Sequence, residues 1–291
     1  MDLRDSLERL YARYNRRDLI PPDPLQFVYR YVHPADQEVV AFLASALAYG
    51  RVQQIERSLR DLLARLGDRP AELAMAFGPA ERQRLEGFKH RFTAGSDVAD
   101  LLEALGWAIR QAGGLEGFFL RGYDPAAPTI LPAMDWFCGS LLEWSASRHG
   151  GSASPGLRYL LARPSSGSAC KRLNLFLRWM VRKDEVDVGL WSGIDPCKLV
   201  VPMDTHMGRI CRLLGLHGRR SISITTALQV TRRFAEISPD DPVRYDFALS
   251  RIGIVRGCVG RPGRVCQTCD LTPFCGARRT QKTGPSRPKT T

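Results

Sequence analysis

No stretch of this sequence is both apolar and long enough to cross a bilayer. The longest apolar run, residues 39–49, falls well short of the roughly 20 residues that a spanning helix needs. Met1 is followed at once by Asp2, Arg4, Asp5, Glu8 and Arg9, so no secretory leader is expected. Alternating apolar–polar patterns are nearly absent, which argues against a sheet-based architecture, and no segment repeats. Acid is missing altogether from residue 276 onward, where Arg278, Arg279, Lys282, Arg287 and Lys289 stand among Pro, Thr and Ser. That composition reads as a disordered basic tail, 276–291.

What is present supports a folded chain with a sizeable core. The 291 residues are 44% hydrophobic and 25% charged, enough for one large domain or two intertwined lobes. The formal charge is +12, and removing the five tail charges leaves +7 on the body. A surplus of that size favours a polyanionic partner such as nucleic acid.

Half of the eight cysteines fall in one short segment, as Cys258, Cys266, Cys269 and Cys275 at spacing C-x7-C-x2-C-x5-C. Four thiolates so close together can close around one metal centre, and sulfur donors select zinc or an iron–sulfur cluster. Structural zinc sites usually pair two C-x2-C knuckles. A single knuckle flanked by wider gaps fits a cluster better, with zinc as the alternative. Cys138, Cys170, Cys197 and Cys211 lie in apolar or helical sequence and read as small core residues. Both sets suit a reducing cytoplasm, at the nucleoid if the source is bacterial.

Helical periodicity dominates, so the expected fold class is all-α. Val39, Phe42, Leu43, Ala46 and Leu47 form one apolar stripe; Ile55, Leu59, Leu62, Leu63 and Leu66 form the next, after a break at Gly50. Further helices are expected over 97–112 and around 136–144, while 148–168, rich in Gly, Ser and Pro, reads as loop. In 171–182, Leu173, Phe176, Leu177 and Met180 share a face. Lys171, Asn174, Arg178 and Arg182 line a polar face that is expected to be solvated, or to touch phosphate. Met207, Ile210, Cys211 and Leu214 mark another helix, with Asp204 at its N-cap and Gly215 ending it.

A basic helical chain, an Asp-Thr-His opening a helix and a C-terminal four-cysteine loop occur together in one group. The chain resembles the helix-hairpin-helix (HhH-GPD) DNA glycosylase superfamily, whose iron–sulfur members include endonuclease III and the adenine-specific mismatch glycosylase. Their V-D-T-H-V-x-R signature is matched here by Met203-Asp204-Thr205-His206-Met207-Gly208-Arg209, and their C-x6-C-x2-C-x5-C loop by the four cysteines with one residue added in the first gap. Residues 36–45 are similar to the family's first barrel helix. The family's L-P-G-V-G-x-K hairpin has no match upstream of Asp204. Its place is best taken by Gly167-Ser168-Ala169-Cys170-Lys171, with Lys198 as the weaker candidate for the lysine. Lys171 precedes Asp204 by thirty-three positions, a gap similar to that of the archaeal 8-oxoguanine glycosylase branch. The family's inserted glutamine has no counterpart; Leu47 falls near its place.

The resemblance implies a two-lobed helical fold: 1–35 and 205–275 as the cluster-bearing lobe, 36–204 as the barrel lobe, and a divergent hairpin near 164–182. It implies a monomeric DNA repair enzyme that carries a [4Fe–4S] cluster on the four cysteines and binds double-stranded DNA containing a damaged base, with no membrane partner. Base excision would proceed by flipping the base out of the stack, with an oxidised purine as the favoured substrate and AP-lyase activity as an option. Breaking the N-glycosidic bond develops positive charge on the sugar, which Asp204 would stabilise; Lys171 would attack C1′ as a neutral amine, a form that a helix N-terminus and partial burial favour. Arg261, Arg264, Arg178 and Arg209 would contact DNA, those in the cysteine loop meeting phosphate. His206 reads as structural, and Trp179 and Tyr49 as core aromatics that could instead stack on a base. A non-catalytic nucleic-acid-binding module and a zinc-stabilised helical protein are the alternative readings.

Overall fold

The computed structural model describes residues 2–148 and 150–277. Its regular structure is almost wholly helical, as the periodicity requires. From the N-terminus run α1 (Leu3–Tyr14), α2 (Pro34–Ala46), α3 (Val52–Leu66), α4 (Pro70–Met75) and α5 (Pro79–Arg84). A two-residue antiparallel pair, β1 (Lys89–His90) and β2 (Thr93–Ala94), leads into α6 (Gly95–Ala112), α7 (Leu115–Leu120), α8 (Leu131–Arg148) and α9 (Pro155–Leu160). The chain closes with α10 (Lys171–Val181), α11 (Thr205–Leu213), α12 (Ile224–Ala235) and α13 (Asp246–Ile254). No helix among the described residues is long and apolar enough to cross a membrane.

The helices over 97–112 and 136–144 lie inside α6, which begins two residues earlier, and α8, which extends further in both directions. The span 148–168 is not all loop. Ser154 caps α9 by accepting from Leu157 N at 3.2 Å, and Pro155 supplies the fixed φ of a first helical residue. So few residues give no usable period, which is why composition alone read the segment as turn.

α2 is buried along nearly its whole length, the condition of a helix surrounded by others. α10 and α4 pack against it. Its two buried carboxylates are used to start other helices: Asp36 accepts from Ala71 N in α4 at 2.9 Å, and Glu38 accepts from Leu115 N at 3.1 Å and Glu116 N at 3.3 Å in α7. Helices of six residues leave most of their first N–H groups without internal partners, and these carboxylates satisfy them. α4 also crosses α6 at contact distance, where a Cβ on Gly106 would stand 1.8 Å from Ala74 O. At the other end of the chain, α13 packs against both α1 and α11.

The polar face of α10 is not solvated. Arg178 and Arg182 are buried, and each is held by acids from outside the helix. Arg178 Nε donates to Asp187 at 3.2 Å and its Nη1 to Asp246; Arg182 binds Asp241 at 2.9 Å, Asp184 at 2.9 Å, and Asp187. Asn174 is buried as well and donates to Ala169 O at 3.1 Å. Arg178 therefore cannot reach DNA phosphate, contrary to the sequence expectation. A basic residue on a helix face looks solvated until the fold brings acids onto it, here from the turn just beyond the helix, 184–187, and from the distant segment 241–246. Burial pushes the Asp187 carboxyl up to about 6, against the pull of the two guanidiniums.

Gly276 and Ala277, the first residues assigned to the tail, are packed: Gly276 N donates to Leu213 O at 2.8 Å and Ala277 is buried. The rest of the expected tail lies outside the described residues.

Candidate active site

Asp204 and Lys171 are brought to one place. Asp204 is the N-cap of α11, with Oδ1 accepting from Met207 N at 2.9 Å. Its other oxygen, Oδ2, stands 3.8 Å from Lys171 Nζ. One carboxylate thus serves the helix and faces the amine at once. Lys171 is the first residue of α10 and donates to Ala48 O, just beyond the end of α2, at 3.2 Å. Before it, Cys170 adopts a left-handed conformation at φ 45°, uncommon for a residue with a side chain and a recurrent feature of functional sites. Lys198 is elsewhere, its amine bound to Ala127 O at 2.9 Å.

Both residues line a cavity of about 1180 Å³. Tyr49 and Tyr159 contribute aromatic wall, with ring centroids 5.4 Å apart and the Arg172 guanidinium 4.2 Å from the centre of the Tyr159 ring. Phe92, exposed at the β1–β2 turn, stacks on Tyr49 at 5.1 Å. Tyr49 is held by its hydroxyl, 2.7 Å from Thr93 Oγ1 and 3.0 Å from His90 O. Trp179 is fully buried and belongs to the core, so of the two aromatics considered from sequence only Tyr49 reaches the cavity.

Asp246 also lines the cavity. Burial raises its carboxyl above the ordinary range; Arg178 opposes this most strongly, and the charges of Asp204 and Lys171 act on it as well. His206 packs its ring on Gly253, where a Cβ would come within 1.8 Å, and its Nδ1 lies 2.8 Å from Arg209 Nη2. Burial lowers its pKa, which fits the structural role read from sequence. Arg209 does not project freely. Its guanidinium is turned to His206 and its stem packs beside Gly260, where an added Cβ would be 2.7 Å from Arg209 Cδ. Arg209 thus braces α11 against the cysteine loop, where the sequence had assigned it to DNA.

The four loop cysteines, Cys258, Cys266, Cys269 and Cys275, line one small cavity, walled otherwise by apolar side chains such as Ile210, Leu214, Ile252 and Leu271. Among the described residues no group of three or more His, Cys, Asp or Glu is drawn together closely enough to hold a metal ion. By donor chemistry the four residues suit a thiolate-bound centre: four soft sulfurs facing one apolar-walled space. Arg261 and Arg264 are exposed on this loop. Of the remaining cysteines, Cys138, Cys170 and Cys211 are buried as expected, while Cys197 is half-buried.

Sequence reasoning missed Arg172, Tyr159 and Asp246. Arg172 stands beside Lys171 and was open to notice. Tyr159 lay in the span read as loop, and nothing local marks Asp246, whose position depends on α13 folding back beside α10.

Fold and cavity together define a helical protein with a lysine–carboxylate site in a large cleft. Residues 23–255 match the model of the family described as "Protein of unknown function (DUF2400)", and the chain belongs to that family. Lys171 and Asp204 fall within the matched span, and the four cysteines lie beyond it. No curated protein and no solved structure matches the chain.

Proposed function

We propose that this chain is a DNA N-glycosylase with AP-lyase activity, of the iron–sulfur helix-hairpin-helix type, which excises a damaged base extruded into the cavity. The observation that carries the reading is the pairing of Lys171 with Asp204, 3.8 Å apart on the wall of one cavity although thirty-three positions separate them in sequence. At about 1180 Å³ the cavity exceeds the roughly 300–1,000 Å³ of ordinary small-ligand pockets, leaving room for a nucleotide and its adjoining backbone. Tyr49 and Tyr159 give the cavity an aromatic wall suited to a base, and the basic body suits a phosphate backbone.

In the proposed reaction the lone pair of Lys171 Nζ forms a bond to C1′ while the N-glycosidic bond breaks, its electron pair leaving with the base. The proton lost by the amine passes to Asp204 Oδ2 and on to the departing base. The carboxylate also stabilises the positive charge that builds on the sugar. Opening of the sugar then gives a Schiff base from which strand cleavage proceeds. Cys258, Cys266, Cys269 and Cys275 would hold a [4Fe–4S] cluster, with zinc as the alternative, and it would serve structure by fixing the loop that presents Arg261 and Arg264.

Borohydride trapping on duplexes carrying oxidised, alkylated, deaminated or mismatched bases tests this. Wild type is expected to form a covalent adduct with one class, Lys171→Ala to form none, and Asp204→Asn to lose base release by at least about a hundredfold. If wild type neither traps DNA nor releases a base from any duplex, the reading is wrong.

A further inference from the structure

One acid-free basic stretch flanks the cavity on the α11–α12 side. From residue 205 to residue 235 the sequence holds Arg209, Arg212, Arg219, Arg220, Arg232 and Arg233 and not one Asp or Glu. With the flanking Asp204 and Glu236 counted, 204–236 carries a net +4, against the net +7 of the whole body without its tail. Elsewhere arginines are commonly matched by acids, as Arg82 is by Asp100 and Glu103 at 2.9 Å each, or Arg244 by Glu8 at 3.0 Å. Arg219, Arg220 and Arg232 are exposed and have no acidic partner among the described residues; Arg233 alone is paired, with Glu236 at 3.1 Å.

The segment is also held in place. His217 is buried and its Nε2 lies 2.7 Å from Gly208 O. A carbonyl can only accept, so Nε2 donates and ties the 215–222 connection back along α11. Ile222 lines the active-site cavity and packs on Gly208, where a Cβ would meet it at 2.3 Å. Ile224 N then donates to Gly167 O at 3.3 Å, in the turn that leads to Lys171. Arg219 and Arg220 therefore stand on a pinned loop next to the cavity, and Arg219 and Arg232 line one cleft between that loop and α12. Arg232 is eight residues beyond Ile224 on α12, about 12 Å further along at 1.5 Å per residue.

We infer that Arg219, Arg220 and Arg232 form a second phosphate-binding track, which holds the duplex backbone beyond the extruded nucleotide. The inference rests on the DNA-directed reading of the cavity. The contacts are to phosphate, so they add affinity and register without reading sequence.

The test is the salt dependence of binding to an undamaged 30-base-pair duplex, followed by fluorescence anisotropy with the full chain. Each phosphate contact contributes roughly 0.9 to the slope of log K against log salt. The Arg219→Ala/Arg220→Ala/Arg232→Ala variant is expected to lower that slope by about 2–3 and to weaken binding at low salt by about tenfold or more. Arg57→Ala, at an exposed position on α3, is expected to leave the slope unchanged. Circular dichroism confirms that each variant is folded. A triple variant with the wild-type slope overturns the inference, while trapping at Lys171 can still succeed. A lowered slope in a protein that releases no base from any lesion would keep the phosphate track and remove the glycosylase reading.

Discussion

Replacing Arg178 by Ala should destabilise the fold far more than it affects any ligand. Arg178 is 2% exposed, and its two buried acceptors are 0% exposed at Asp187 and 6% at Asp246, so all three are largely withdrawn from water. Removing one member of a buried ion pair leaves uncompensated charge and costs about 3–5 kcal/mol. Asp187 retains Arg182, but Asp246 loses its guanidinium and must protonate or draw in water. Against a total stability of roughly 5–15 kcal/mol, such a loss is a large fraction. At a urea slope of about 3 kcal/mol/M it moves the unfolding midpoint down by about 1–2 M. Arg261→Ala, on the exposed cysteine loop, should stay within about 0.5 kcal/mol of wild type. Equilibrium urea titration followed by circular dichroism reads both. Replacing the pair together, as Arg178→Met with Asp246→Leu, should recover more than half of the loss, because the stranded charge is then gone. If Arg178→Ala keeps the wild-type midpoint while DNA binding weakens, the buried network is wrong and the guanidinium is at the surface after all.

Asp135 gives a pH-dependent test. Burial alone would raise its carboxyl, but hydrogen bonds from Arg163 and Ser165 overcome this and hold it at about 2, below the unfolded value of 3.8. A depressed pKa contributes stability above the unfolded value and loses it as pH falls through the folded one, so the deficit of Asp135→Asn should be full at pH 5 and shrink between pH 4 and 2; a deficit constant over that range would show that the ion pair is not its source. Gly106→Ala should cost about 2–3 kcal/mol by forcing α4 and α6 apart, since the added methyl carbon would overlap Ala74 O, and a thermal midpoint equal to wild type would contradict the crossing. The purified protein should absorb visible light through thiolate-to-iron charge transfer and lose the band on Cys269→Ser; a colourless protein replete with zinc would assign the four cysteines to zinc instead.

Helix α2 shows how much could be read directly. Its apolar residues recur at helical spacing because every one of them must meet a neighbour, and that requirement is written locally. The same holds for Asp204, since an N-cap is a contact of a residue with its own helix three positions on. For Lys171 the resemblance supplied Asp204 as its partner but no geometry, and Lys198 stood as its rival. Arg178 was misread for a related reason. Its two acids lie nine and sixty-eight positions away, and a helical pattern says which residues share a face but not what that face meets.

The sequence by itself determined the helical class, the cap that orients Asp204, the basic surplus and the four-cysteine loop, all properties of composition or of contacts within a few residues. Only the tertiary structure decided that the Lys171 amine stands 3.8 Å from the Asp204 carboxylate, that Tyr159 and Arg172 share their cavity, and that Arg178 is core. Those relations depend on how α2, α10, α11 and α13 pack. Packing is a balance of many distant apolar contacts and desolvated charges, and no window of the sequence contains both sides of it.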